Sequence, residues 1–85
     1  MKKSERRALE DLRDLIVRAI DEELNAAEVT PDQAGEITVY ISPNLDEVQV
    51  YLDGRGNDEL EGWFVESAYT YEDALYIADK YFDIR

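Results

Sequence analysis

Apolar residues in the first third of the chain fall on one stripe of a 3.6-residue helix: Leu9, Leu12, Ile16, Ala19, Ile20 and Leu24, widened by Leu15 and Val17. No glycine or proline interrupts Lys2 to Val29. Ser4 is suited to cap the start, and Thr30-Pro31 ends the run, because a residue before proline avoids the helical region. The spacing predicts a helix over Ser4–Ala27, followed by a turn at Asp32-Gln33-Ala34-Gly35.

The period then changes to two. Ile37, Val39 and Ile41 alternate with Thr38, Tyr40 and Ser42, and Val48, Val50 and Leu52 alternate with Gln49, Tyr51 and Asp53. Pro43-Asn44-Leu45-Asp46 separates the two runs, so they read as an antiparallel hairpin. Asp53-Gly54-Arg55-Gly56-Asn57-Asp58 is too polar and too rich in glycine for a regular element. A third strand is expected around Glu61–Glu66, with Trp63 and Val65 inward and Phe64 outward. A last helix is expected from about Tyr71 to Phe82, its apolar stripe Tyr71, Ala74, Leu75, Ala78 and Phe82. Thr70 with Asp73 resembles a capping box at its start.

The predicted fold is α+β in the order α-β-β-β-α: a three-stranded antiparallel meander with two helices packed on one face. The helices cover Ile37, Val39, Ile41, Val48, Val50 and Leu52. The other face stays open to water and displays Tyr40, Tyr51 and Phe64.

Length sharpens this picture. At 85 residues, positions 1–85 form a single small acidic domain, and 45% hydrophobic composition is too high for a disordered acidic tail. The chain has no cysteine, hence no disulfide or thiol chemistry, and no histidine, the commonest general base and transition-metal ligand. Met1-Lys2-Lys3 and Arg6-Arg7 suggest targeting signals, but Glu10, Asp11, Arg13 and Asp14 interrupt any apolar stretch behind them. A cytoplasmic location is expected, with no membrane span.

Charge is the most informative feature. The net charge is −12, so no electrostatic footprint for direct nucleic-acid contact exists. Residues 1–18 hold six bases and four acids, a net of +2; residues 19–85 hold three bases and seventeen acids, a net of −14. Arg6–Glu10, Arg7–Asp11, Asp14–Arg18 and Arg18–Glu22 have the i,i+4 spacing of helix ion pairs. Glu72 and Asp73 suit a helix N-terminus. Asp46, Glu47, Asp53, Asp58, Glu59, Glu61 and Glu66 have only Arg55 among them. Solubility alone asks for a net charge of ~2–8 in a small domain. Three uses compete for the excess: a solvated surface, adaptation to high salt, and docking onto a basic partner.

Other chemistry is poorly supported. Carboxylate pairs abound among twenty-one acids and so mark nothing. The Asp53–Glu59 loop fails the calcium-loop spacing, since Arg55 stands at its third position. Gly54 and Gly56 lack the Lys-Ser/Thr of a phosphate loop. No enzyme activity, cofactor or metal is expected. Tyrosines beside acids suit a partner rich in Arg and Lys.

Short, acidic, free of cysteine and single-domain, the whole chain resembles phage-encoded DNA mimics and anti-CRISPR proteins in size and charge. That resemblance assigns no residue. It implies an inhibitor or adaptor that occupies a basic, nucleic-acid-binding surface of another protein. The expected partner-binding residues are Asp46, Glu47, Asp53, Asp58, Glu59, Glu61 and Glu66 with Tyr40, Tyr51 and Phe64. The alternative is a general acidic, halophile-type homodimeric domain. A first helix of ~36 Å outruns a six-residue strand of ~20 Å. Its early turns, with Leu9 and Leu12, are therefore expected to overhang, bend or find another surface; a second copy is the simplest one, giving a weak homodimer through Ser4–Ile16.

Overall fold

In the computed structural model, which describes residues 3–84, helix α1 spans Lys3–Ala27. Ser4 therefore lies inside the helix and is not its cap. At its other end Val29 N–H donates to Leu24 O (3.1 Å) and Glu28 N–H to Asn25 O (3.2 Å). This closure needs a left-handed residue, and Glu28 takes that role at φ 57°, where glycine is usual. A short 3₁₀ turn, Pro31–Gln33, follows.

Strands β1 (Ile37–Ile41), β2 (Val48–Tyr51) and β3 (Phe64–Ala68) form one sheet in the order β2-β1-β3, with both pairings antiparallel. The expected meander is corrected: β1, not β2, is central, and all five of its residues are buried. The β1–β2 turn is short and keeps those strands adjacent. The chain between Tyr51 and Phe64 is long enough to cross β1 and add β3 on its far side, so β2 and β3 run parallel without touching.

Register corrects the third strand as well. Ile41 faces Phe64, Val39 faces Glu66 and Ile37 faces Ala68. Directly paired residues share a face, so Phe64, Glu66 and Ala68 lie on the side of Ile37, Val39 and Ile41. Val65 points the other way and is 45% exposed. Phe64 was expected outward and Val65 inward; both are reversed. Trp63 precedes the strand and is half-buried.

The C-terminal segment is two helices rather than one: α2 (Tyr71–Leu75) and α3 (Ile77–Ile84). Thr70 Oγ accepts from Asp73 N–H (3.1 Å) and caps α2. The break falls at Tyr76 (φ −89°, ψ 1°), whose N–H bonds back three residues to Asp73 O. Ala74, Ile77 and Ala78 are buried on either side of it.

One apolar cluster joins Leu9, Leu12, Ile16, Ile20 and Leu24 of α1 to Ile37, Val39, Ile41 and Val50 of the sheet and to Ala74, Ile77 and Ala78. Twenty-five residues at 1.5 Å make α1 a rod of ~37 Å, which fits only along the 38 Å dimension of a 38 × 25 × 18 Å molecule. It does not overhang. Leu9 is 8% and Leu12 1% exposed, because α3 packs beside the early turns. Arg13 fastens the two helices with a bidentate pair to Asp79, Nε–Oδ1 2.9 Å and Nη2–Oδ2 2.7 Å. The apolar patch expected at Ser4–Ile16 for a second copy is thus used within the chain. Among the described residues no helix is long and apolar enough to cross a membrane.

Candidate functional site

The face opposite the helices is covered over Tyr40 and Tyr51 and open at Val65 and Ser67 of β3. Residues 52–63 cross it as a strap on the way from β2 to β3. Tyr40 and Tyr51 stand beneath, ring centroids 5.4 Å apart and edge to face. Asn57 is the clasp. Its N–H donates to Tyr40 Oη (2.8 Å), its Nδ2 donates to Tyr51 Oη (2.9 Å), and its Oδ1 accepts from Glu59 N–H (2.9 Å). Gly56 permits this approach, since a Cβ there would lie 2.7 Å from Tyr40 Oη.

The network continues to the hairpin. Tyr51 Oη donates to Gln49 Oε1 (2.8 Å), and Gln49 Nε2 donates to Glu47 (2.7 Å). At the β1–β2 turn, buried Ser42 Oγ donates to Asp46 Oδ1 (2.8 Å) and accepts from the N–H groups of Asp46 and Glu47 (both 3.1 Å). Asp46 and Glu47 therefore have structural partners that are not cations. On the other flank of the sheet Thr38 and Ser67 hydroxyls bond at 3.2 Å.

The expected site residues do not gather in one place. Asp46 and Glu47 lie at the hairpin turn, with Asp53 past the other end of β2, where its N–H bonds to Ala34 O (2.9 Å). Asp58, Glu59 and Glu61 are exposed on the strap. Glu66 and Phe64 stand on the helix-covered face instead: Glu66 pairs with Lys80 of α3 (3.2 Å), and the Phe64 ring meets Tyr81 edge to face at 5.1 Å. Tyr40, expected on show, is 7% exposed, and Tyr51 is half-buried. The strap shields the tyrosines and lifts its own acids into solvent.

Among the described residues the ion pairs are Arg13–Asp79 and Lys80–Glu66, and none of the four i,i+4 pairs expected on the first helix is closed. Twelve acids from Asp21 to Glu61 face a single base, Arg55. Arg55 lines a shallow cleft of about 300 Å³ with Glu23, Asp53, Val29 and Leu52. Glu5 in the first turn of α1 suits its macrodipole, but most other charges near its ends oppose it. Arg6 and Arg7 sit near its N-terminus, while Glu22, Glu23 and Glu28 lie toward its C-terminus. Near a helix end each such placement is unfavourable by ~0.3–1 kcal/mol.

Tyr71 hydroxyl donates to Asp21 Oδ1 at 3.3 Å, linking α2 to α1. Burial, the Asp21 charge and this hydrogen bond all raise the Tyr71 pKa above its ordinary value. Among the described residues no group of three or more metal-ligating side chains converges.

Asn57 and Arg13 were missed from the sequence. The signal for Asn57 was present in Gly56 beside it and in two tyrosines at outward parity; Arg13 and Asp79 are too far apart in sequence for any local rule. No family model matches the chain, and no curated protein and no solved structure matches it either.

Proposed function

We propose that this chain is a small acidic inhibitor or adaptor, without catalysis, that occupies a basic, nucleic-acid-binding surface of another protein. One observation carries the reading: twelve acids between Asp21 and Glu61 are left without an ion pair among the described residues. Self-repulsion of that size works against a compact state. The strap adds support, because Asp58, Glu59 and Glu61 are held off the sheet on a backbone pinned by Asn57. Fixed carboxylates on a pinned loop lose little conformational entropy on binding. A duplex presents one negative charge per ~1.7 Å of its axis, and a surface that grips such a row also attracts carboxylates.

The test compares two columns. Wild-type chain and an Asp58→Lys/Glu59→Lys/Glu61→Lys variant are immobilised, host lysate is passed at low salt, and bound proteins are eluted with a salt step. The reading expects proteins retained by the wild type alone, whose nucleic-acid binding is lost when free chain is added. Equal retention by both columns, or retained proteins that still bind nucleic acid in its presence, would refute it.

A further inference from the structure

Three large apolar or aromatic side chains are exposed among the described residues: Val65 (45%), Tyr69 (80%) and Tyr76 (65%). All three border the same strand. Val65 lies within β3, Tyr69 directly follows it, and Tyr76 stands across a cleft of about 310 Å³ whose walls are Ser67, Ala68 and Tyr69 on one side and Asp73, Tyr76 and Lys80 on the other. Among the described residues β3 pairs only with β1, so its outer edge offers a row of backbone donors and acceptors. The opposite edge differs. The cleft beside β2 is lined by Glu22 and Glu23 of α1, and charge of this kind guards an edge.

We infer that the outer edge of β3 is a docking strip for an extended, arginine-bearing segment of a partner protein. Strand addition would satisfy the free backbone groups, and side chains at every second position of the guest would enter the cleft. There Tyr69 and Tyr76 offer ring faces and Asp73 a carboxylate, the chemistry that receives a guanidinium. Lys80 lines the same cleft but is already paired with Glu66. Charge decides between occupants: a second copy brings another −12, whereas a basic segment meets opposite charge. The choice of a basic guest rests on the function proposed above; the exposed edge does not.

The probe is a synthetic eight-residue peptide of alternating Arg and Val, titrated into ¹⁵N-labelled chain. Two controls accompany it: an alternating Glu and Val peptide, and an Arg-Val analogue N-methylated at every amide. Amide shifts are expected at residues 64–68 and at Tyr76, with no binding of the Glu-Val peptide. The methylated analogue keeps the charge but loses its donors, and should bind at least about tenfold more weakly. Tyr76→Ala and Tyr69→Ala should each weaken binding about threefold to fivefold. Shifts confined to residues 46–61, or equal binding by the methylated analogue, would overturn the edge assignment while leaving the acidic-surface reading intact. Shifts at 64–68 that grow with protein concentration alone would assign the edge to a second copy. Absence of any shift also overturns the docking strip, and the column comparison then judges the wider reading separately.

Discussion

The two faces of this sheet are covered by different chemistry, the second only over β1 and β2. On one, Ile37, Val39, Ile41 and Val50 pack against the apolar stripe of α1 and against Ala74, Ile77 and Ala78. On the other, Tyr40 and Tyr51 are covered by a strap held through Asn57. Apolar burial is non-directional and cumulative, at ~25 cal/mol per Å². Each hydrogen bond of the strap contributes only ~0.5–1.5 kcal/mol net and depends on geometry. The helix side therefore carries most of the stability. The strap side holds a shape, and that shape places Asp58, Glu59 and Glu61 in solvent.

The largest expected effect is on the helix side. Ile16 is fully buried, and Ile16→Ala should lower the unfolding free energy by ~2–5 kcal/mol, read by urea denaturation. That is a large share of the ~5–15 kcal/mol typical of a folded domain. A loss below ~1 kcal/mol would mean the apolar layer is not the main source of stability.

The strap side should respond through geometry. Gly56→Ala sets a Cβ 2.7 Å from Tyr40 Oη and should destabilise by ~1–3 kcal/mol. Tyr40→Phe removes that oxygen and gives up its hydrogen bond to Asn57 N–H. The double variant should then lose less than the two single changes combined. Strict additivity would show that the strap does not touch Tyr40 in solution.

A smaller effect, of opposite sign, is expected at the end of α1. Glu28 holds a left-handed backbone beside a helix C-terminus. Glu28→Gly should raise stability by ~0.5–1 kcal/mol, relieving backbone strain and an unfavourable charge together. Glu28→Gln, which removes only the charge, should gain less.

The smallest separates the layers by pH. Tyr71 belongs to the helix side, and its pKa is raised from 10.0 by burial, then by the Asp21 charge and hydrogen bond. Its contribution is complete below pH 10 and is lost as pH rises through the raised folded value, because the unfolded chain gives up the proton first. Denaturation midpoints should fall more steeply above about pH 10 in the wild type than in Tyr71→Phe. Parallel curves would refute the link.

How much of this was legible depended on whether a pattern had a phase. The stripe from Leu9 to Leu24 and the alternations at Ile37–Ile41 and Val48–Val50 had one, and those elements stand where periodicity put them. Trp63-Phe64-Val65 is an unbroken apolar run, so period two fits either phase, and the structure takes the one that turns Phe64 inward and Val65 outward. The strand order failed for a related reason. Adjacency in sequence suggests adjacency in space, but a connection of about a dozen residues is the length a crossover needs. Nothing local marked the break at Tyr76, where apolar positions continue at helical spacing. Of the candidate site, the strap acids were legible as exposed charge. The burial of Tyr40 and the inward side of Phe64 and Glu66 followed from strand order and register, and were lost with them.

On the function proposed above, the strap acids Asp58, Glu59 and Glu61 are carried for a partner and not for the fold. The most direct measurement is the melting temperature of an Asp58→Asn/Glu59→Gln/Glu61→Gln variant at low salt, where repulsion between exposed charges is least screened. If these side chains serve only a partner, neutralising them relieves self-repulsion. The variant should then melt at or a few degrees above the wild type, and the difference should vanish near molar salt. A variant that melts several degrees lower at low salt would contradict the claim, because Asp58, Glu59 and Glu61 would then be holding the strap in place.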